Sequence, residues 1–359
     1  MPTTAHARHT CSFLPPHLLR AIAERGSPSQ REAASRTLAV DLTFRSLRWT
    51  GGARLPNLRP SDEALAPRRR IFTADGSQEL PGALVRQERE PAVPDLAVNE
   101  AFDGLGATHA FFLEAYQRNS IDDEGWPLEA TVHFGQRYDN AFWNGQQMVF
   151  GDGDGEIFNR FTISLDVIGH ELAHGLIEDE AQLAYLFQPG ALNESLADVF
   201  GSLVRQYALH QTAREADWLI GAGLFTRAVS GVAMRSMKAP GQAYDDAVLG
   251  RDPQPAHMSD FVRTYDDNGG VHINSGIPNR AFYLASAALD GYAWERAGRI
   301  WYETLRDPQL RPNAGFTRFA KLTVACAARL YGSASVEEEA VADAWRQVGV
   351  QVAARAAAA

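Results

Sequence analysis

The pentapeptide His170-Glu171-Leu172-Ala173-His174 constrains the fold of this chain more than any other feature of its sequence. Apolar residues around it recur with helical spacing, and residues four apart on a helix share one face, so both imidazoles can reach one metal ion. Glu171, rotated by about 100° from His170, can reach a water molecule beside that ion. We therefore predict a zinc-binding helix over 165–180, with Glu171 as general base.

A catalytic zinc ion needs a third protein ligand and leaves its fourth position to water. Glu194 is the candidate, because it lies in a second predicted helix over 190–209 and shares a helix face with Asp198. We expect the Asp198 carboxylate to accept a hydrogen bond from the free ring nitrogen of a ligand histidine and so to orient that ring. Asn193, next to Glu194, is expected to support the ligands as well.

Local patterns predict the other elements. Helical spacing predicts further helices over 18–25, 30–38, 98–119, 275–291, 293–306, 315–331 and 336–348. Alternation predicts strands over 42–49 and 130–135, and residues 140–150 suit a strand that turns at Asn144-Gly145. Residues 51–70 are rich in Gly, Pro and Arg, which is typical of an exposed linker.

Several phrases occur in an order that resembles the thermolysin family of neutral zinc metallopeptidases. Besides the zinc motif they are Asn140–Gly145, Gly151–Gly155, Asn193-Glu194, Asp267–His272 and Leu330–Ser333. The resemblance covers about residues 71–350 and implies an α+β fold of two lobes with the zinc site in the cleft. It implies a strand-rich N-terminal catalytic lobe over 71–180, which includes the zinc helix, and a helical C-terminal lobe over 181–350, followed by a tail at 351–359.

The resemblance also assigns roles to residues outside the zinc motif. It implies that Tyr185 and His272 stabilise the oxyanion and that Asp267 orients His272. It implies that Asn140 and the backbone of Ala141 hold an extended peptide. The remaining implied substrate-binding residues are Arg235, which would bind a substrate carbonyl, and Phe158, Val167 and Met234, which would line an apolar pocket for the residue after the scissile bond.

In such a peptidase, cleavage before bulky hydrophobic residues is expected. Relatives carry a calcium site made of clustered carboxylates. Two of its positions keep Asp166 and Asp217 in this chain, but Arg205, Leu219 and Ala222 occupy other positions of the cluster. A second calcium position carries Val232. We therefore expect one catalytic zinc ion and weak or absent calcium binding.

The N-terminal segment is similar to that of the protealysin-like subgroup, whose short propeptide occupies the active site until its removal. It carries Pro15-Pro16-His17-Leu18 and is predicted as a propeptide over 1–50, with an end as late as about 70. The resemblance thus implies a latent precursor whose own propeptide is an intramolecular inhibitor. Cys11 is either a thiolate latch on the zinc or a free cysteine, whereas Cys326, in an apolar helix, is expected in the core.

Composition excludes some classes of function. The formal net charge of -10 argues against a nucleic-acid-binding surface, and no apolar run is long enough to cross a bilayer. We expect the chain to act on proteins or peptides and to be a monomer. The resemblance implies secretion, but no signal peptide is recognisable, since Pro15 and Pro16 interrupt the one apolar candidate. A cytoplasmic location or another export route therefore stays open.

Three alternatives compete with a zinc endopeptidase. A catalytically silent zinc-binding module of the same fold would be favoured by replacement of Glu171 or His272, and both are present. Another gluzincin, such as an aminopeptidase, would carry a Gly-x-Met-Glu-Asn phrase, which the sequence lacks. A structural zinc site would need four protein ligands, and three are visible outside the N-terminal segment.

Overall fold

The structure is a computed structural model that describes the backbone of residues 11–49 and 65–352 and the side chains of residues 12–44 and 65–352. Most of the expected linker and the thiol of Cys11 lie outside these ranges. The chain divides into two compact units. The first comprises 1–175, 223–230 and 246–250, and the second comprises 176–222, 231–245 and 251–359.

Two helices open the described chain, α1 (Pro16–Arg25) and α2 (Pro28–Trp49). The strand expected over 42–49 is wrong, because α2 continues through it. Val40 and Phe44 are one helical turn apart and both pack on an aromatic cluster of the first unit that includes Phe134 and Phe142. On a helix these two side chains lie on one face and one turn apart, so both can pack on the same cluster, and tertiary packing supports the longer helix.

A six-stranded sheet forms the first unit, in the order β1-β5-β6-β4-β2-β3. The strands are β1 (Cys11–Ser12), β2 (Arg69–Thr73), β3 (Ala83–Gln87), β4 (Leu128–Val132), β5 (Ala141–Trp143) and β6 (Met148–Phe150). Strands β2, β4 and β6 are parallel, and the other pairs are antiparallel. The turn between β5 and β6 at Asn144-Gly145 is confirmed, and the expected linker ends before β2 rather than at Arg70.

Helix α3 (Leu96–Tyr116) packs beside α4 (Leu165–Glu180), which carries the zinc motif. The bounds predicted for α4 are confirmed. Gly104 of α3 allows close contact, since a Cβ at that position would overlap the side chain of Ile168. The division between the two units falls within α4, after Gly175.

The second unit is mainly helical. Its helices are α5 (Phe187–Ala208), α6 (Asp267–Asn274), α7 (Gly276–Leu289), α8 (Ala297–Leu305), α9 (Phe316–Tyr331) and α10 (Val336–Gln347). The chain also contains the short strands β7 (Leu219–Ile220), β8 (Arg235–Ser236), β9 (Asp245–Asp246) and β10 (Gly250–Arg251). Two 3-10 helices, Phe161–Ile163 and Met258–Asp260, complete the described elements. Ser335 caps α10, because its side chain accepts a hydrogen bond from Glu338 N. Helix α6 was not predicted.

Candidate active site

The three predicted zinc ligands come together in the structure. Suitable ligand atoms of His170, His174 and Glu194 all lie within 4.8 Å of one another, and all three side chains are buried. The Nε2 atoms of the two histidines are 3.1 Å apart, with the ring planes at 89°. Helical spacing on α4 brings the two rings to one face, as the sequence predicts. Two imidazoles and a carboxylate are the donor set of a catalytic zinc site.

Glu171 lies on the same helix and is fully buried. Its Oε2 atom accepts a hydrogen bond from the backbone N–H of Trp143 at 2.9 Å. Trp143 is the last residue of β5, so the end of this strand fixes the position of the carboxylate. The pattern of the sequence gave no sign of that contact, because it joins residues from a strand and a helix that are far apart in the chain.

Three predicted residues form one hydrogen-bonded group around Glu194 in the second unit. The hydroxyl of Tyr185 donates to Oε1 of Glu194 and lies 3.3 Å from Nε2 of His272. On its other side, His272 Nδ1 lies 2.6 Å from Oδ1 of Asp267, whose second oxygen accepts the His272 backbone N–H at 2.9 Å. Asp267 therefore fixes both the ring and the backbone of His272.

The turn that carries this histidine has unusual backbone geometry. Residues Asp267 to Gly270 all have φ between 51° and 86°, in the left-handed region. The chain turns sharply there and brings Asp267 back onto His272. Burial of the His272 ring opposes its protonation, but the negative charges of Asp267 and Glu194 outweigh that effect and raise the pKa of His272.

Arg235 and Asp198 form a buried ion pair. The guanidinium donates through two nitrogens to the two carboxylate oxygens, at 2.9 and 2.8 Å. Asn279 also donates to Asp198, at 2.8 Å, and was missed by the sequence analysis. The Asn193 amide donates to the backbone carbonyl of Leu183 at 3.4 Å. The bond from Asp198 to a ligand histidine stays a prediction.

The predicted peptide-holding strand is occupied by the N-terminal segment. Strand β1 pairs with β5 in antiparallel register, and the backbone N–H of Phe13 donates to the Ala141 carbonyl at 2.9 Å. The side chain of Asn140 accepts from Leu14 N at 2.8 Å and donates to Asp41 at 2.9 Å. The ring of Phe13 meets that of His170 edge to face, at 5.3 Å.

Asp41 was not singled out by the sequence. Its carboxylate is nearly buried and accepts from the Tyr138 hydroxyl at 2.5 Å as well as from Asn140. Its burial could have been predicted from the helical spacing of Thr37, Val40, Asp41 and Phe44. The strand expected over 42–49 interrupted that pattern.

The predicted apolar pocket residues are all buried. Phe158 contacts Phe161 and Phe225, both with ring centroids 5.8 Å away, and Val167 lies on α4. Met234 is held by a backbone hydrogen bond from its N–H to the Ile220 carbonyl at 3.0 Å. Whether these side chains form one pocket stays a prediction.

Two positions that the resemblance assigns to the calcium cluster form an ion pair within the protein. The Arg205 guanidinium donates to both oxygens of Asp217, at 3.0 and 2.8 Å. Asp166 is buried and accepts a hydrogen bond from the Ser164 hydroxyl at 2.7 Å. A cation of the chain thus neutralises one of the two remaining carboxylates.

Fold and site together define a two-unit metallopeptidase. Residues 70–178 match the family model described as thermolysin metallopeptidase, catalytic domain, and residues 181–350 match the model of the thermolysin metallopeptidase alpha-helical domain. The chain belongs to the thermolysin family, whose members are zinc-dependent hydrolases that act on peptide bonds.

Within that family the chain is protealysin-like. The precursor of protealysin, a metalloproteinase from Serratia proteamaculans, has 54% sequence identity and a TM-score of 0.87, over 95% of this chain and 100% of that one. An extracellular metalloprotease of Pectobacterium carotovorum subsp. carotovorum is 54% identical over 346 residues, which are 96% of this chain and 98% of the relative. Protease PrtS of Photorhabdus sp. (strain Az29) is 50% identical, over 95% and 92%.

No helix in the described part of the chain is long and apolar enough to span a membrane.

Proposed function

We propose that this chain is an endopeptidase in which His170, His174 and Glu194 hold one zinc ion and Glu171 is the general base. The observation that carries the proposal is the convergence of these three buried side chains, with Glu171 one residue from a ligand on the same helix. The donor set fits zinc, because neutral imidazole and carboxylate are its common ligands in catalytic sites. When bound, zinc polarises the scissile carbonyl and acidifies the attacking water.

Glu171 takes the proton from the attacking water and delivers it to the leaving amine. The hydrogen bond from Trp143 N to Oε2 at 2.9 Å holds one carboxylate oxygen in place. A positioned carboxylate loses little freedom at the moment of reaction, which favours proton transfer.

Tyr185 and His272 donate hydrogen bonds to the oxyanion that forms on the substrate carbonyl. The Asp267 carboxylate favours the protonated form of His272, which is the form that donates through Nε2. Because Asp267 also holds the backbone of His272, it is a positioning residue.

Arg235 binds a carbonyl of the peptide, since its guanidinium offers a planar fork of donors and Asp198 fixes its orientation. Asn140 and Ala141 hold the extended peptide by strand addition. Phe158, Val167 and Met234 receive the side chain after the scissile bond, so cleavage before bulky hydrophobic residues is favoured.

The N-terminal segment is an intramolecular inhibitor. Phe13 and Leu14 use the same acceptors, the Ala141 carbonyl and the Asn140 amide, that an extended substrate would use. A substrate and this segment cannot occupy β5 together. We propose that the propeptide spans 1–50. The N-terminal catalytic lobe spans 71–180, the C-terminal lobe spans 181–350, and residues 351–359 form a tail.

The names of relatives, such as the extracellular metalloprotease of Pectobacterium carotovorum subsp. carotovorum, support secretion of the enzyme. We further propose that the enzyme is a monomer. Calcium is proposed to bind weakly or not at all, because Arg205 already pairs with Asp217. A melting curve of the processed enzyme should therefore change little when calcium is added, whereas a rise of many degrees would contradict weak binding.

The test compares the wild type with Glu171→Gln, and Glu178→Gln on the same helix is the matched control. Zinc content, cleavage of a quenched peptide and mass of the chain are measured with and without a chelator. Glu171→Gln should keep zinc but lose about 10²- to 10⁴-fold in kcat, and Glu178→Gln should behave as the wild type. A zinc-loaded wild type that stays inert after a trace of another protease removes its N-terminal segment would instead identify a silent binding module.

A further inference from the structure

Three large apolar side chains of the second unit are exposed in the two chain segments that carry the oxyanion donors Tyr185 and His272. Leu186, Phe187 and Tyr265 are 47%, 45% and 92% exposed, and we call them the apolar shelf. The rings of Phe187 and Tyr265 meet edge to face, with centroids 6.3 Å apart and planes at 75°. Single exposed apolar residues need no explanation, but a group of them marks a binding surface.

The shelf is continuous with the site through the backbone. Leu186 and Phe187 directly follow Tyr185, whose side chain is buried and reaches His272 at 3.3 Å. Tyr265 lies two residues before the turn that carries His272. The two segments that supply the oxyanion donors therefore also supply the shelf.

The position of Phe187 is built into the fold. Its φ of 52° is in the left-handed region, which is rare for a bulky aromatic residue. Its ring lies on Gly269, where a Cβ would overlap that ring. Strained backbone of this kind concentrates at functional sites, and here it supports an aromatic ring that is about half exposed.

We propose that the apolar shelf is a specificity-determining subsite for an aromatic or branched aliphatic side chain of the peptide substrate, on the N-terminal side of the scissile bond. This inference rests on the proposed function. The oxyanion forms on the carbonyl of the residue before the scissile bond, so a surface continuous with Tyr185 and His272 meets that part of the peptide. None of the three shelf side chains is charged, and their apolar surface favours an apolar partner.

The experiment uses the zinc-loaded, processed enzyme and quenched peptides that differ only at the residues before the scissile bond, with Phe, Leu, Ser or Glu there. Phe187→Ser and Tyr265→Ser are compared with Leu330→Gln, a control on an exposed apolar residue of α9. The wild type and the control should prefer Phe over Ser by about tenfold in kcat/KM, mainly through KM. Each shelf variant should reduce that preference to about two- or threefold.

Binding without turnover provides a second measurement. In the Glu171→Gln background, after another protease has removed the N-terminal segment, the Phe peptide should bind about tenfold more tightly than the Ser peptide, and Phe187→Ser should remove most of that difference. A wild type that cleaves peptides with a preference unchanged in both shelf variants would refute the subsite and leave the peptidase function intact. A shelf variant that alters sedimentation rather than preference would assign the shelf to a second copy of the chain. A wild type that neither binds nor cleaves any peptide would overturn both proposals.

Discussion

Asp139 is a buried carboxyl group whose charge the surrounding protein opposes. It lies between Tyr138 and Asn140, and its backbone N–H donates to the Thr37 hydroxyl at 3.1 Å. Burial, with a further contribution from the charge of Asp154, raises the pKa of Asp139 to about 8. The carboxyl group therefore stays protonated in the folded protein at neutral pH, while it ionises in the unfolded chain.

Asp139→Asn is expected to stabilise the protein in a pH-dependent way. Between about pH 4 and pH 8 the unfolded wild type releases a proton that the folded protein keeps, so the wild-type free energy of unfolding falls as pH rises. Asn does not titrate, so the free energy of unfolding of Asp139→Asn should exceed that of the wild type. This difference should grow over the window to about 1–3 kcal/mol and then level off. Urea unfolding at several pH values measures it, with Asp103→Asn, an exposed site, as the control. A pH-independent difference would contradict the raised pKa.

At the scale of elements, one histidine joins the start of α3 to the loop after β6. Asp95 caps α3 by accepting from Ala97 N at 2.9 Å, and its other oxygen lies 2.8 Å from Nε2 of His133. Nδ1 of His133 lies 2.9 Å from Asp152. The hydrogen bond to Asp152, together with that to Asp95, raises the pKa of His133 to about 9 against the opposing effect of burial.

His133→Gln should destabilise the protein most at low pH. The folded-state pKa is raised, so the stabilisation by the charged ring is fully present below about pH 6.5 and is lost as pH rises through 9. We expect a loss of about 1–2 kcal/mol at pH 6, which shrinks towards pH 9. Thermal melts across this range, with the exposed His210→Gln as control, measure it. A loss that grows with pH would be incompatible with this ion-pair arrangement.

At the scale of the whole molecule, the N-terminal segment that we propose as an inhibitor belongs to the first unit. Helix α2 contributes Asp41, which the Tyr138 hydroxyl and the Asn140 amide both contact, and Val40 and Phe44 pack on the aromatic cluster beside them. Asp41 and Leu14 therefore use one side chain, Asn140, as a common partner. Loosening α2 should also loosen the strand that covers β5.

Asp41→Ala is expected to weaken latency, because it leaves the buried Tyr138 hydroxyl and Asn140 amide without this acceptor. The lag before self-processing of the purified precursor should shorten by about fivefold or more. Glu32→Gln is the matched control, since Glu32 lies on the same helix and forms an exposed pair with Arg36. An equal lag in the two variants would show that Asp41 does not hold the inhibitor in place.

The sequence determined the elements whose information is local. The limits of α4 and the turn at Asn144-Gly145 follow from periodicity and turn chemistry within a few residues. The convergence of His170 and His174 follows from helical spacing alone. The third ligand, Glu194, was found because its companion Asp198 shares a helix face.

The tertiary structure decided what depends on residues distant in the chain. Helix α2 extends to Trp49 because Phe44 finds a surface of aromatic rings about 90 positions away. The partner of Arg235 is Asp198, and Phe187 is exposed over Gly269, which no local pattern indicates. Periodicity records which side chains share a face of one element, but the partner that each face meets is fixed only when the chain packs, and the free energy of those contacts selects it.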